Sequence, residues 1–305
     1  MSNHSVSISP HIRNKTTTRN IMFDVIIALI PAYAASILVF GARAALVVIV
    51  CMSACVLCEL IYQRAMKLPV TISDGSALIT GVILAFNLPV GIPIWQAVFG
   101  SAVAIILVKQ LFGGLGKNFA NPAVTARIVM FLAFSVTMTT WVPIDSVSGA
   151  TPLSLLASGD IYELPSITKM FLGLHGGALG ETSALALLLG GIYLIIRGVI
   201  TWHTPVVFIA TVFAFSAVLG QNPIYHMLSG GLFLGAIFMA TDYVTTPQTS
   251  AGRVVFGIGA GLLTVLFRVY GSYPEGVSFA ILLMNILTPY INRFTEKKPL
   301  GGIKA

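Results

Sequence analysis

The chain reads as an all-α integral membrane protein with about ten transmembrane helices, arranged as two inverted five-helix repeats. Three observations lead there: an apolar composition, a series of separated apolar runs, and a likeness between the two halves. Of 305 residues, 56% are hydrophobic and 9% charged, whereas an ordinary soluble domain carries about 25% charged residues. The mean hydropathy is +0.93.

Apolar runs long enough to cross about 30 Å of hydrocarbon fall at 21–40, 44–62, 74–88, 94–112 and 122–140. Five more follow at 180–197, 204–220, 224–241, 253–270 and 276–292. The third and the eighth are short and glycine-rich, GSALITGVILAFNLP and GGLFLGAIFMATDY. The halves resemble each other in the same places. LITGVILAFNLP (78–89) parallels LFLGAIFMATDY (232–243), and AVFGSAVAIILVKQLFGG (97–114) parallels VVFGIGAGLLTVLFRVYG (254–271). Five spans per copy is an odd number, so the second copy enters the membrane upside down. Inverted repeats with short, glycine-interrupted helices in matching positions recur in transport folds, with sites near the repeat interface. The competing reading is that glycine and valine runs look alike in any membrane protein.

Orientation follows from the cations. With the N-terminus inside, Arg13, Lys15, Arg19, Arg64, Lys67, Lys109, Lys117, Arg197, Arg253, Arg293, Lys297, Lys298 and Lys304 fall at cytoplasmic ends. Arg43 and Lys169 fall outside, and Arg127 and Arg268 lie within or at the end of a span. The loop-charge rule disfavours the opposite orientation strongly. Residues 1–20 are then a cytoplasmic tail without the apolar core of a secretory signal. Residues 21–292 form the membrane domain, 141–180 its extracytoplasmic loop, and 293–305 a second cytoplasmic tail. The net charge of +7 comes from cations scattered singly at span ends, not from a basic patch with interleaved aromatics, which argues against nucleic acid as partner.

Chemistry-bearing residues are few. Cys51, Cys55 and Cys58 share a helical face and read as small apolar packing, although part of an iron-sulfur site remains open, since such clusters normally take four ligands. There is no phosphate-binding Gly-Lys loop, His-Glu-x-x-His or zinc-spaced cysteine pair. Asp24, Glu59, Asp74, Arg127, Asp242 and Arg268 lie within or at the edges of spans, where a charge costs roughly 2.5 to 3.5 kcal/mol unless paired or hydrated. Asp24 and Glu59 are expected at the interface. Asp74, opening the third span, and Asp242, ending the eighth, are expected at the cytoplasmic face on corresponding repeat elements, in a structural pairing or in a cation or proton path. Arg127 is placed to neutralise a buried carboxylate or a ligand's developing negative charge. His175 and His226 stay unassigned.

The one roomy polar stretch is IDSVSGATPL, 144–153. Thr151 precedes a proline, which biases its backbone to the extended region and is expected to hold its hydroxyl outward, with Gly149 and Ala150 clearing the approach. A plain Ser/Thr/Gly turn is the alternative. DSVSGATPL resembles the Asp-x-x-Ser-Gly-Ala-Thr flavinylation sequence of the NqrB/RnfD family, which includes one membrane component of the Rnf electron-transport complex and one of the Na+-translocating NADH:quinone reductase. SPHIR (9–13), TGVILAFNLP (80–89), KQLFGGLGKNFANPA (109–123) and FMATDYVTTPQTSAGR (238–253) are similar to the same family. Without an extended N-terminal region, the chain is more similar to the Rnf branch. Two positions depart from the pattern: Tyr243 stands where the family usually has proline, and Ala120 where an aromatic is more usual.

The resemblance implies that a dedicated transferase joins FMN through its phosphate to Thr151, with Asp145, Ser148, Gly149 and Ala150 completing the recognised motif. Arg127 is then a candidate for the N1–C2=O end of a flavin, where a cation stabilises the reduced anion. A non-covalent riboflavin is also implied, without a located pocket. The expected role is an electron-transfer subunit, in a bacterial cytoplasmic membrane, of a complex coupling electron flow between ferredoxin and NAD to Na+ or H+ movement. The implied partners are the other membrane subunits, a second FMN-bearing subunit, and the NAD- and ferredoxin-reactive subunits. The chain carries neither a Rossmann fingerprint nor iron-sulfur cysteine runs, so it would not complete such a reaction alone. The inverted repeat by itself also allows a channel or carrier for a small neutral solute.

Overall fold

A computed structural model describes residues 17–141, 151–159, 164–181, 183–271 and 276–296, and every regular element among them is helical. In chain order the first half contains α1 (Thr18–Phe40), α2 (Ala42–Ala65), a 3₁₀ turn (Ile72–Asp74), α3 (Ser76–Phe86), α4 (Ile94–Ala102), α5 (Pro122–Ala133) and α6 (Ser135–Thr139). Two short connecting helices follow, α7 (Pro152–Ser158) and α8 (Ile167–Leu172). The second half contains α9 (Ala184–Ile196), α10 (His203–Val218), α11 (Pro223–Leu228), α12 (Leu232–Leu234), α13 (Ser250–Tyr270) and α14 (Val277–Thr295). Two helices run on as π-helix, α4 over Val103–Gln110 and α12 over Gly235–Met239.

Four of these helices, α1, α2, α13 and α14, are long and apolar enough to cross a membrane; α3, Ile94–Gln110, α5, α9 and α10 are shorter apolar helices. The run expected at 74–88 gives only the 11 residues of α3, about 17 Å of helix at 1.5 Å per residue. The run at 224–241 breaks into α11 and α12 around Ser229–Gly231. Both interruptions have local causes. Gly75 and Gly231, the residues before α3 and α12, have left-handed φ of 81° and 64°, which glycine adopts without steric penalty. Beyond α3, Pro89 and Pro93 prevent the helix from continuing.

Packing is densest between α10 and α13, α2 and α3, α13 and α14, and α1 and α9. On α13, Gly257 and Gly261 face Val207 and Thr211 of α10, with no room for a Cβ at Gly261. Small residues let membrane helices approach this closely. The core is largely apolar, but the outer surface is apolar too, where a soluble protein's would be polar. Leu38, Leu132, Ile196, Val218 and Phe294 are all more than 70% exposed, while Glu59, Lys109, Arg127, Ser278, Asn285 and Arg268 are buried. Apolar side chains on the outside and ionisable ones within suit a lipid surround, because an ionisable group in hydrocarbon must find a partner inside the protein.

One asparagine ties the two halves together. The Asn121 side-chain oxygen caps α5 by accepting from the amides of Ala123 and Val124, its Nδ2 donates to the Met239 carbonyl, and its backbone N–H donates to Asn285 Oδ1. Loss of such a cap costs about 0.5–2 kcal/mol, and here a cross-half bond goes with it. Asn121→Ala is therefore expected to lower stability by about 2 kcal/mol, read as the thermal unfolding midpoint in detergent. Asn121→Asp, which keeps the cap, should lose less.

Candidate functional site

Thr151 is the first residue described after the 142–150 stretch and is the N-cap of α7. Its backbone is extended, with φ −77° and ψ 156°, as the following proline requires. Its side chain, however, is not outward: Thr151 is only 6% exposed. Its Oγ1 accepts from the Ser154 amide at 3.2 Å and lies 3.3 Å from Ser154 Oγ. The capping geometry turns the hydroxyl back over the first turn of α7, a constraint that the Pro152 argument alone does not contain. The helix packs on α11 and α13, with Leu153 against Gly230. Asp145, Ser148, Gly149 and Ala150 lie outside the described residues.

Arg127 lies inside the bundle, 5% exposed, and donates through Nη1 to Asn87 Oδ1 at 3.2 Å and to Ser278 Oγ at 2.8 Å. Asn87 is the last-turn cap of α3, and its Nδ2 also reaches the Ile83 carbonyl and Met239 Sδ. Arg127 thus joins α5, the end of α3, the end of the α12 π-helix and α14 at one junction between the halves. Among the described residues it shares no hydrogen-bonding partner with Thr151. Near the same junction Asn285 Nδ2 and Thr288 Oγ1 both donate to the Thr245 carbonyl.

A second polar centre is one that the sequence does not announce. Glu59, expected at the interface, is fully buried. Its carboxylate meets Lys109 Nζ at 2.9 and 3.0 Å, and the Gln110 and Gln63 side-chain amides at 2.8 and 3.2 Å. Lys109, expected among the surface cations, is 2% exposed and also donates to Ser76 Oγ at 2.7 Å. Packing of α2 on α3 and on the π-helix brings these residues together. The signal in the sequence is ambiguous: a lone acid in one apolar run and a lone lysine at the end of another. Asp24 is also paired, with Arg197 at 3.2 Å and with the Tyr193 hydroxyl at 2.8 Å, and the arginine side chain is half exposed, in keeping with an interfacial position.

Asp74 and Asp242 do not occupy equivalent positions. Asp74 precedes its short helix and accepts from the Ser76 amide and hydroxyl at 2.8 and 2.6 Å. Asp242 follows its short helix and accepts from the Thr245 hydroxyl at 3.1 Å and the Val244 amide at 3.5 Å. The offset that aligns the two short helices puts Asp242 at the wrong end for symmetry with Asp74. The structure nevertheless relates them through a cavity of about 110 Å³ between the halves, bordered by Ser76, Thr80, Lys109, Asn118, Asn121 and Asp242. Ser76 passes its hydrogen bond to Asp74 and receives one from Lys109, so the Glu59 centre reaches this inner cavity directly.

The cysteines pack against apolar neighbours. Cys51 packs in the main core and Cys55 against Ala77 and Ile105; among the described residues no group of three His, Cys, Asp or Glu side chains is arranged to hold a metal. His175 Nδ1 lies 3.0 Å from the Gly176 carbonyl. His226 is buried in α11, where Arg268 bonds its carbonyl and that of Ser229.

Comparison with known proteins places this geometry in context. The family model described as NQR2, RnfD, RnfE matches residues 5–301. The chain is 49% identical to the D subunit of the Na(+)-translocating ferredoxin:NAD(+) oxidoreductase complex of Acetobacterium woodii, over 99% of this chain and 96% of that protein. It is 41% identical to the D subunit of the proton-translocating ferredoxin:NAD(+) oxidoreductase complex of Clostridium ljungdahlii, over 97% and 96%. It is 37% identical to the D subunit of the ion-translocating oxidoreductase complex of Stutzerimonas stutzeri, over 94% and 93%.

Proposed function

The chain belongs to the NQR2, RnfD, RnfE family, and from that premise we propose that it is the membrane electron-transfer subunit of an ion-translocating ferredoxin:NAD oxidoreductase. The observation that carries the proposal is near-complete coverage by the D-subunit relatives together with the SGAT sequence that ends at the capping threonine of α7. We further propose that Thr151 carries FMN as a phosphoester on the extracytoplasmic side, with Asp145, Ser148, Gly149 and Ala150 as the transferase's recognition sequence. The capping bond can survive such an ester, because substitution at Thr151 Oγ1 removes its proton yet leaves a lone pair for the Ser154 amide that now bonds it; the hydroxyl is buried as the chain stands, so carrying the phosphate requires it to turn outward. When bound, the flavin would supply one- and two-electron chemistry.

What the polypeptide itself does is hold charge. Arg127 keeps a buried cation at the junction of the two halves, and Lys109, Glu59 and Asp242 set the electrostatics of the inner cavity. The short helices α3 and α12, meeting there from opposite halves, suit the inverted-repeat reading, in which ion and cofactor sites lie at the repeat interface. A second, non-covalent flavin finds suitable donors and acceptors in the inner cavity. At about 110 Å³, however, that space falls below the roughly 300–1,000 Å³ of ordinary ligand pockets. As it stands it does not take a three-ring flavin, and no step is derived through one. The named relatives move sodium in one case and protons in another, so the family likeness leaves the ion open.

The test is direct. Chain produced in a host that has the flavin transferase, run on a denaturing gel under ultraviolet light, is expected to fluoresce, and Thr151→Ala is expected to abolish the signal while the chain still inserts in the membrane. A dark wild-type band would overturn the covalent assignment.

A further inference from the structure

A cavity of about 420 Å³ lies at the end of the bundle where α9 finishes and α10 and α13 begin. That volume is in the range of ordinary ligand pockets. Its wall is polar, bearing Thr201, Thr204, Thr246, Gln248 and Arg253 and, among the described residues, no carboxylate. The one charge on it is the Arg253 guanidinium. Two bonds hold that group in place: Nε donates to the Pro247 carbonyl at 3.1 Å and Nη1 to Thr201 Oγ1 at 3.0 Å. Both partners are neutral. The remaining N–H groups of Arg253 have no acceptor among the described residues, and no described carboxylate forms an ion pair with it.

The hydroxyls around the cavity are of two kinds. Thr241 and Thr246 donate to the carbonyls of Ile237 and Asp242, and Tyr243 donates to that of Val199, so all three have committed their protons. Thr204 has not. It sits in the first turn of α10, too early for its hydroxyl to fold back on a helix carbonyl, and although it is only 2% exposed its hydroxyl joins no hydrogen bond among the described residues. A buried donor left unmade costs about 1–3 kcal/mol, so this one points to a partner from outside the chain. Helix α10 also starts without a side-chain cap, because Trp202 occupies the N-cap. Its first amides are therefore donors too, of the kind that suits an anion.

We propose that this cavity binds a phosphate group. Arg253 supplies the positive charge and a planar fork, the Thr204 hydroxyl and the first turn of α10 supply further donors, and no acid on the described wall opposes an anion. A phosphate's oxygens accept what these groups have left to give. Free inorganic phosphate and the headgroup of an anionic phospholipid both present that chemistry, and the position favours the headgroup. Trp202, exposed and next in sequence to Thr201, is an aromatic of the type found at headgroup depth, and basic pockets between membrane helices take lipid headgroups. The site is separate from Thr151. Arg268, beside which α7 docks at Gly230, lies about 22 Å further along α13 at 1.5 Å per residue, so the phosphate bound here is not that of an ester on α7.

Two binding measurements on the full chain in a neutral detergent, neither needing a cofactor or a partner subunit, separate the sources. Equilibrium dialysis against labelled inorganic phosphate reads the free ion, and native mass spectrometry after addition of phosphatidylglycerol counts the lipid that stays bound. Binding in both assays means that the free ion suffices; binding of the lipid alone means that the headgroup is required. Either result supports the site. Arg253→Gln is expected to weaken binding about tenfold or more, as loss of a charged donor implies, and Arg253→Lys, which keeps the charge without the fork, by less. Thr204→Val breaks no bond that the hydroxyl now makes, so it should leave the ligand-free unfolding midpoint unchanged yet weaken binding about threefold or more. Arg293→Gln removes an exposed cation beside Asn292, which the Gln248 amide bonds, and should bind as the wild type does. Binding of neither ligand, unchanged binding in Arg253→Gln or in Thr204→Val, or an equal loss with Arg293→Gln would each overturn the proposal.

Discussion

Lys109→Met is expected to destabilise the chain by about 3–5 kcal/mol, the cost of leaving one partner of a buried ion pair without the other. The magnitude follows from the surroundings. The side chains of Lys109 and Glu59 are 3% and 1% exposed, so water cannot replace the missing ammonium. Glu59 would keep only the Gln63 and Gln110 amides, and Ser76 would lose the cation that its hydroxyl oxygen accepts from. The double variant Glu59→Gln/Lys109→Met removes both charges and is expected to recover most of the loss, because a buried pair replaced by neutral groups of similar volume is often close to neutral in stability. A double-mutant cycle on thermal unfolding midpoints in detergent measures the difference. If the double variant is as unstable as the single one, the charges are not what holds α2, α3 and the π-helix together.

The second large effect is steric. A Cβ at Gly190 would stand 2.1 Å from the Ala28 carbonyl oxygen and 3.1 Å from Phe238 Cζ. The first neighbour is backbone of α1, so relief requires α1 and α9 to separate along one of the closest contacts in the bundle. Gly190→Ala is expected to cost at least the usual 1–3 kcal/mol of an overpacked core and to disturb the inner cavity, which Phe238 borders. The adjacent glycine is the control. At Gly191 the nearest atoms, at 3.0 and 3.1 Å, are methyls of the Ile237 side chain, which can rotate away. Gly191→Ala should therefore lower the unfolding midpoint by clearly less, and equal losses at the two positions would show that backbone contact is not the determinant.

Several features of the site are legible in the sequence, and the reasons differ. The buried role of Arg127 is legible because an arginine one turn into an apolar helix has to be satisfied internally. The reach of Asn121 is hidden, since Asn-Pro marks a helix start but says nothing of Met239 or Asn285. Glu59 and Lys109 mislead for a different reason. Each sits near the end of an apolar run, where a charge ordinarily reaches the membrane surface, and only the approach of α2 to the π-helix turns two surface expectations into one buried pair. Likewise, the extended backbone of Thr151 follows from its proline, while the inward turn of its hydroxyl comes from Ser154 and from the docking of α7.

The sequence alone determined the class of protein, because hydropathy and the scarcity of charge are sums over residues and need no geometry. It also determined its family, and the interruptions at Gly75, Pro89 and Gly231, which are local backbone effects. Only the tertiary structure decided which charges meet and where the cavities lie. Those depend on contacts between residues as far apart as Asn87 and Met239, or Tyr243 and Val199, and no local pattern encodes a distance across the bundle.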